Sequence, residues 1–109
     1  MSGQVGRGRE AFEQRAWAEA FSQLLAADEV SRLGVEDLER LAICAYLVGR
    51  ADDSAAAWER AHRACSREGD VSRAARCAFW LAFVLLNRGE LARGGGWVHR
   101  AQRLLDRRG

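Results

Sequence analysis

The feature that most restricts what this chain can fold into is an unbroken apolar run, Cys77 to Leu86, preceded by Arg76 and followed by Asn87 and Arg88. A helix over these residues offers no polar side to water for almost three turns, so neighbours are expected to enclose it all round. The run is far shorter than the roughly 20 residues that cross a bilayer. A central buried helix is therefore expected, and not a membrane span.

The neighbours should themselves be helical. The 109-residue chain has no Pro and no Thr, is rich in Ala and uses β-branched residues sparingly, which favours an all-α fold. Its size suits one domain with a modest core. Lys and Arg total 17, every one of them Arg, against 15 acids, for a net charge of +2. That balance is too even to mark a nucleic-acid binder, which usually gathers a basic excess on one face. Cys44, Cys65 and Cys77 form an odd set without a C-x-x-C pair, and Met1 to Gly8 contain no apolar signal core. Both features predict free thiols in a reducing cytoplasm.

Glycines punctuate the chain. Residues 1–8 read as a flexible N-terminus and residues 9–109 as a single helical domain. From Arg9 to Ala27, Phe12, Ala16, Trp17, Ala20, Phe21, Leu24 and Leu25 recur at helical spacing, either as two short helices breaking near Arg15-Ala16 or as one continuous helix. Gly34 precedes a helix that starts with Glu36 and Asp37, reaches Val48 and stops at a left-handed Gly49. Asp52 or Asp53 is expected to cap the next helix, which ends at Gly69. Asp70 caps the apolar helix, Gly89 ends it, and a last helix runs from about Glu90 to Asp106.

An internal period runs through these helices. A small-x-x-x-large-x-x-Ala pattern occurs three times: Ala20/Leu24/Ala27, Ser54/Trp58/Ala61 and Gly94/Val98/Ala101. The first interval is 34 residues, the period of a tetratricopeptide repeat; the second is 40 and implies a lengthened helix pair around Ser66 to Ala75. The preceding helices agree, with Leu38-x-x-Leu41-Ala42-x-x-Ala45 matched by Ala78-x-x-Leu81-Ala82-x-x-Leu85. A small residue lets two helices approach while the large one fills the groove beside it. The chain thus resembles a degenerate tetratricopeptide-like array of about three antiparallel helix pairs, five to six helices, over roughly residues 4–107. It departs from that pattern at Leu38 and Ala78, where an aromatic is usual, and in lacking the terminal Pro.

Longer strings point to a family. Glu36 to Ala42, Ala45 to Arg50, Glu59 to Ala64, Arg73 to Phe83 and Arg88 to Trp97 are similar to the N-terminal helical-repeat region of actinobacterial LuxR-type transcriptional regulators. In that family a C-terminal helix-turn-helix binds DNA, and the repeats sense, dock or oligomerise. The resemblance implies a regulator's non-catalytic interaction domain, with no direct DNA binding by this segment; the alternative is a free-standing scaffold or homodimerisation protein with no ligand beyond itself.

In an array of this kind the first helix of each pair lines the concave face. Spacing assigns Phe12, Ile43, Tyr46, Phe79, Phe83 and Asn87 to that face, with Arg9, Glu39 and Arg76 around them. Such a groove suits an amphipathic helix or extended peptide. The carboxylate-clamp subtype, which resembles arrays using Lys and Asn here, is set aside because the chain has no Lys and one Asn. A small-molecule pocket among Trp17, Trp58 and Trp80 is a further reading. On the last helix, Trp97, Val98, Ala101, Leu104 and Leu105 look too apolar for an outer surface, so self-association or the remainder of a longer regulator is expected to cover them.

Other candidates carry less. Gly94-Gly95-Gly96 inside a helix implies close approach to the central helix near Trp80 or Phe83, since no P-loop context surrounds it. His62 and Cys65, three apart, could share a metal with His99 or Cys44, but a lone pair is poor evidence and no metal or other cofactor is expected. Arg93, Arg100, Arg103, Arg107 and Arg108 read as a solvated face. No nucleophile is paired to a base and Asp52-Asp53 reads as a cap, so no enzymatic activity is expected.

Overall fold

The computed structural model describes residues 3–108. Six helices fill them: α1 (Gly3–Glu13), α2 (Trp17–Val30), α3 (Val35–Leu47), α4 (Ala51–Glu68), α5 (Val71–Asn87) and α6 (Leu91–Arg108). Consecutive helices pack in pairs, and the pairs stack through α2 against α3 and α4 against α5. This is the expected all-α array of helix pairs. No described helix is long and apolar enough to cross a membrane.

Four of the five turns use one device. A residue one or two places past the helix takes a left-handed conformation and donates its N–H three residues back, while the next N–H reaches five residues back. Gly49 (φ 85°), Gly69 (φ 77°) and Gly89 (φ 84°) fill that position after α3, α4 and α5. After α1 the position is Arg15, at φ 61°, with Arg15 N–H bonded to Phe12 O and Ala16 N–H to Ala11 O. The break near Arg15-Ala16 is thus real, made with a residue that pays the side-chain strain glycine avoids. The turn after α2 differs: the Asp28 carboxylate accepts Leu33 N–H at 3.0 Å and folds the chain back toward α3.

Both repeat patterns fall on buried positions except at Val98, which is half-buried. Ala20, Leu24, Ser54 and Ala61 are fully enclosed, as are Ala42, Ala45, Ala78 and Leu85. Ser54 Oγ donates to Ala42 O at 2.8 Å, so the hydroxyl at this tight contact between α3 and α4 is satisfied. The longer second interval is accounted for by α4 and α5, of 18 and 17 residues against 14 and 13 for α2 and α3.

Several expectations need correction. Gly3 to Gly8, assigned to a flexible start, form the first half of α1; Gly8 is buried, and a β-carbon there would lie 2.7 Å from Leu24 Cγ. Met1 and Ser2 lie outside the described residues. Neither Asp52 nor Asp53 caps α4: Arg50 is the capping residue, Asp53 pairs with it at 2.9 Å, and Asp52 pairs with Arg88. Asp70 does cap α5, accepting Arg73 N–H at 3.1 Å. The glycine triplet does approach α5, but at Leu86 and only through Gly94, where a β-carbon would sit 2.6 Å from Leu86 Cγ; Gly95 and Gly96 face nothing within 4 Å.

The largest correction concerns the apolar run. Neighbours enclose one side of it, where Cys77, Ala78, Leu81, Ala82, Val84 and Leu85 are buried, whereas Phe79, Trp80, Phe83 and Leu86 are 39–47% exposed. The helices of an array touch neighbours on either side only, so an inner face stays open.

Four substitutions test these packing statements by urea denaturation. Gly95→Ala and Gly96→Ala should each stabilise by up to about 1 kcal/mol through helix propensity, and Gly94→Ala should destabilise by about 1–3 kcal/mol through overpacking against Leu86. Arg15→Gly should stabilise by roughly 1 kcal/mol by relieving the left-handed side chain.

Candidate binding groove

The open face of α5 lies beside the matching face of α3. On α3 the unburied positions Glu39, Ile43, Tyr46 and Leu47 recur at helical spacing, and on α5 Arg76, Trp80 and Phe83 do the same. Between them is a cleft of about 490 Å³ whose floor is Trp58 and Val84. Its rings form a continuous chain. Tyr46 and Phe83 have centroids 5.8 Å apart, Phe83 and Trp80 meet edge to face at 5.7 Å, and Trp80 stacks on Trp58 at 6.1 Å.

Polar groups close the two ends. At one end Glu39 accepts from Arg73 Nε at 2.9 Å and from Arg76 Nη2 at 3.2 Å. Burial pushes the Glu39 carboxyl up, but the Arg73 hydrogen bond and charge, aided by Arg76, outweigh it and hold the group below the usual range. At the other end Asn87 Nδ2 donates to the Tyr46 hydroxyl at 3.0 Å.

Further ion pairs of this type tie one helix pair to the next. Asp37 on α3 takes Arg9 of α1 at 2.7 Å and Arg40 at 2.9 Å, and Asp28 on α2 takes Arg60 of α4 at 2.8 Å. Hydrogen bonds from Arg60 and Arg9 depress the Asp28 and Asp37 carboxyls respectively, more than burial raises them. These pairs fix how α1, α3 and α5 line up, and hence the width of the groove.

Of the residues expected in the groove, Glu39, Ile43, Tyr46, Arg76 and Phe83 line the cleft and Asn87 closes its end. Phe79 is exposed on the same helix but outside the cleft. Phe12 is not part of it: it packs edge to face with Trp17 at 5.3 Å within the first helix pair. Arg9 is likewise engaged elsewhere, with Asp37. Leu47, Trp58, Trp80 and Val84 are the lining residues that groove spacing missed. Trp80 and Leu47 were legible as one turn beyond Arg76 and Ile43, whereas Trp58 and Val84 reach the cleft as its floor, which single-helix spacing does not reveal. Of the three tryptophans read as a pocket, Trp58 and Trp80 meet and Trp17 does not join them.

The flank on α6 is narrower than expected. Ala101 is fully buried, Trp97 sets its ring at 5.1 Å from His62, Leu104 packs on the core and Val98 is half-buried, leaving Leu105 at 39% exposure. The apolar stripe of α6 points inward onto α5 and α4, and exposed His99, Gln102, Arg103 and Asp106 give it a polar outer side. Arg93, Arg100, Arg103 and Arg107 are exposed, as a solvated face requires.

The remaining polar and sulfur groups are structural. His62 Nδ1 bonds Ala74 O at 2.9 Å, linking α4 to α5. All three cysteines are free and buried, and burial raises the thiol of Cys44 to about 11 and pushes Cys65 and Cys77 upward too, so none is a ready nucleophile. Among the described residues no three His, Cys, Asp or Glu side chains are grouped to hold a metal. A second cavity, about 680 Å³, opens where α1 meets the α2–α3 turn; of its guanidiniums, Arg9 and Arg32 are committed to Asp37 and Asp28. No protein-family model matches the chain, and no curated protein matches it either.

The depressed carboxyls give a pH dependence with a fixed sign. Their stabilisation is present above the unfolded carboxylate range near pH ~4 and is lost as pH falls through the lower folded values, because the unfolded chain binds those protons first. Urea midpoints measured from pH 7 to pH 3 should hold steady and then fall below about pH 4.5, with a shallower fall in Asp37→Asn.

Proposed function

We propose that this chain is a non-catalytic protein-interaction module of the tetratricopeptide-like kind, serving as the helical-repeat part of a LuxR-type transcriptional regulator. One observation carries the interaction reading: two of the large aromatic side chains of the central helix, Trp80 and Phe83, are nearly half exposed beside Tyr46 and Leu47 on one face. Apolar surface gathered in this way on a small domain marks a binding site. Its anchors are aromatic, the type that dominates binding energy at interfaces. Two helices flanking a cleft suit an amphipathic helix laid along it, with apolar residues at i, i+3 or i+4, and i+7. The regulator assignment is supported by the sequence resemblance alone.

Selection of displayed helical peptides on the immobilised domain tests the reading. Enrichment of apolar i/i+4/i+7 sequences that bind the native chain and lose about tenfold or more with Phe83→Arg is expected. Enriched peptides indifferent to Phe83→Arg, or no enrichment at all, would contradict an α3/α5 binding face.

A further inference from the structure

The groups lining the α3/α5 cleft are unequal as hydrogen-bond partners. Glu39 is its carboxylate, and both oxygens are taken. Arg73 donates from Nε at 2.9 Å and from Nη2 at 3.3 Å, Arg76 Nη2 donates to both oxygens at 3.2 Å, and Cys77 Sγ donates at 3.5 Å. A carboxylate offers about four acceptor positions, so Glu39 has none left for a visitor. Arg76 is the reverse case. Its side chain is 56% exposed and only Nη2 is engaged, which leaves the N–H groups of Nε and Nη1 without a partner among the described residues. The Tyr46 hydroxyl accepts from Asn87 and keeps its own proton to donate, and the Trp80 indole can only donate. The cleft therefore presents apolar carbon and open donors, and its one carboxylate is already fully engaged.

Dimensions decide between a small molecule and a polypeptide. Glu39 to Leu47 and Arg76 to Val84 each span about 12 Å of helix, which matches two turns of a third helix lying between them. Phe79 and Leu86, 40% and 39% exposed, extend the apolar face beyond the cleft lining.

We infer that the groove receives an amphipathic helix of another protein that carries an Asp or Glu at one end of its apolar stripe, with that carboxylate paired to Arg76. The inference rests on the interaction-module reading and specifies the chemistry of the partner. A helix bearing Arg or Lys at that point would meet the like charge of Arg76, whose carboxylate partner in the cleft, Glu39, is already shared with Arg73.

The test uses N-acetylated, C-amidated helical peptides of roughly 16 residues. All have Leu and Phe at i, i+3, i+4 and i+7, with Glu, Gln or Arg placed in the first turn of one series and the last turn of another. Titration calorimetry should show, in one series, the Glu peptide binding about tenfold more tightly than its Gln counterpart and the Arg peptide weakest. Arg76→Gln should erase that difference, and Arg76→Lys should restore part of it. Equal binding of Glu and Gln peptides, lost for both with Trp80→Ala, would overturn the acidic partner while leaving the interaction module intact. Binding indifferent to Trp80→Ala, or no binding by any peptide, would overturn both. Self-association abolished by Phe83→Arg would give the groove to a second copy of this chain and overturn the inference. Circular dichroism checks that each variant is folded, and Trp80→Phe replaces Trp80→Ala if the latter melts.

Discussion

The architecture depends on how closely its helices approach one another, and alanine sets that distance. More than half of the buried apolar residues described are alanines, with Ala57, Ala61, Ala74, Ala78 and Ala82 concentrated where α4 and α5 meet each other and their neighbours. Backbones that close leave little volume between them, so Leu81, Leu85 and Val84 fill what remains and the rings of α5 have no room inside. Phe79, Trp80 and Phe83 therefore stand on the outer stripe. The tight core and the aromatic groove are two sides of the same packing choice.

That choice explains what could be read from the sequence and what could not. The helices, their glycine stops and the small-large-small contacts were legible because each depends on local spacing, and the structure puts Ala20, Ser54, Ala61, Ala78 and Leu81 in contact positions as that spacing implies. The apolar run misled because hydrophobicity alone does not distinguish a residue that is buried from one that is large and displaced. Side-chain size separates the aromatic members, all exposed, from the alanines and the cysteine, all buried, though not Leu81 and Leu85 from Leu86. The small members are buried, and three of the four exposed ones are aromatic.

Tertiary pairing was the other hidden part. Asp52 and Asp53 had the composition of a helix cap, but Arg50 and Arg88 hold them in ion pairs instead. Glu39 read as a charge beside the groove, and its grip on Arg73, 34 residues away, is visible only in three dimensions. Because every basic residue is Arg, each buried carboxylate is met by a planar, multiply donating partner that can bridge two helix pairs. Those bridges fix the alignment of α1, α3 and α5, and the cleft inherits its shape from them.

Neighbouring residues of the run allow a direct test of the separation between core and groove. Leu81 is 1% exposed and Phe83 is 45% exposed, two positions apart on one helix. Urea denaturation of Leu81→Gln should show a loss of at least about 4 kcal/mol, or no folded state, because an amide replaces a fully enclosed side chain. Phe83→Gln should cost only about 1 kcal/mol. Equal losses for the two would mean that the aromatic stripe is core, and would contradict an open groove on this domain.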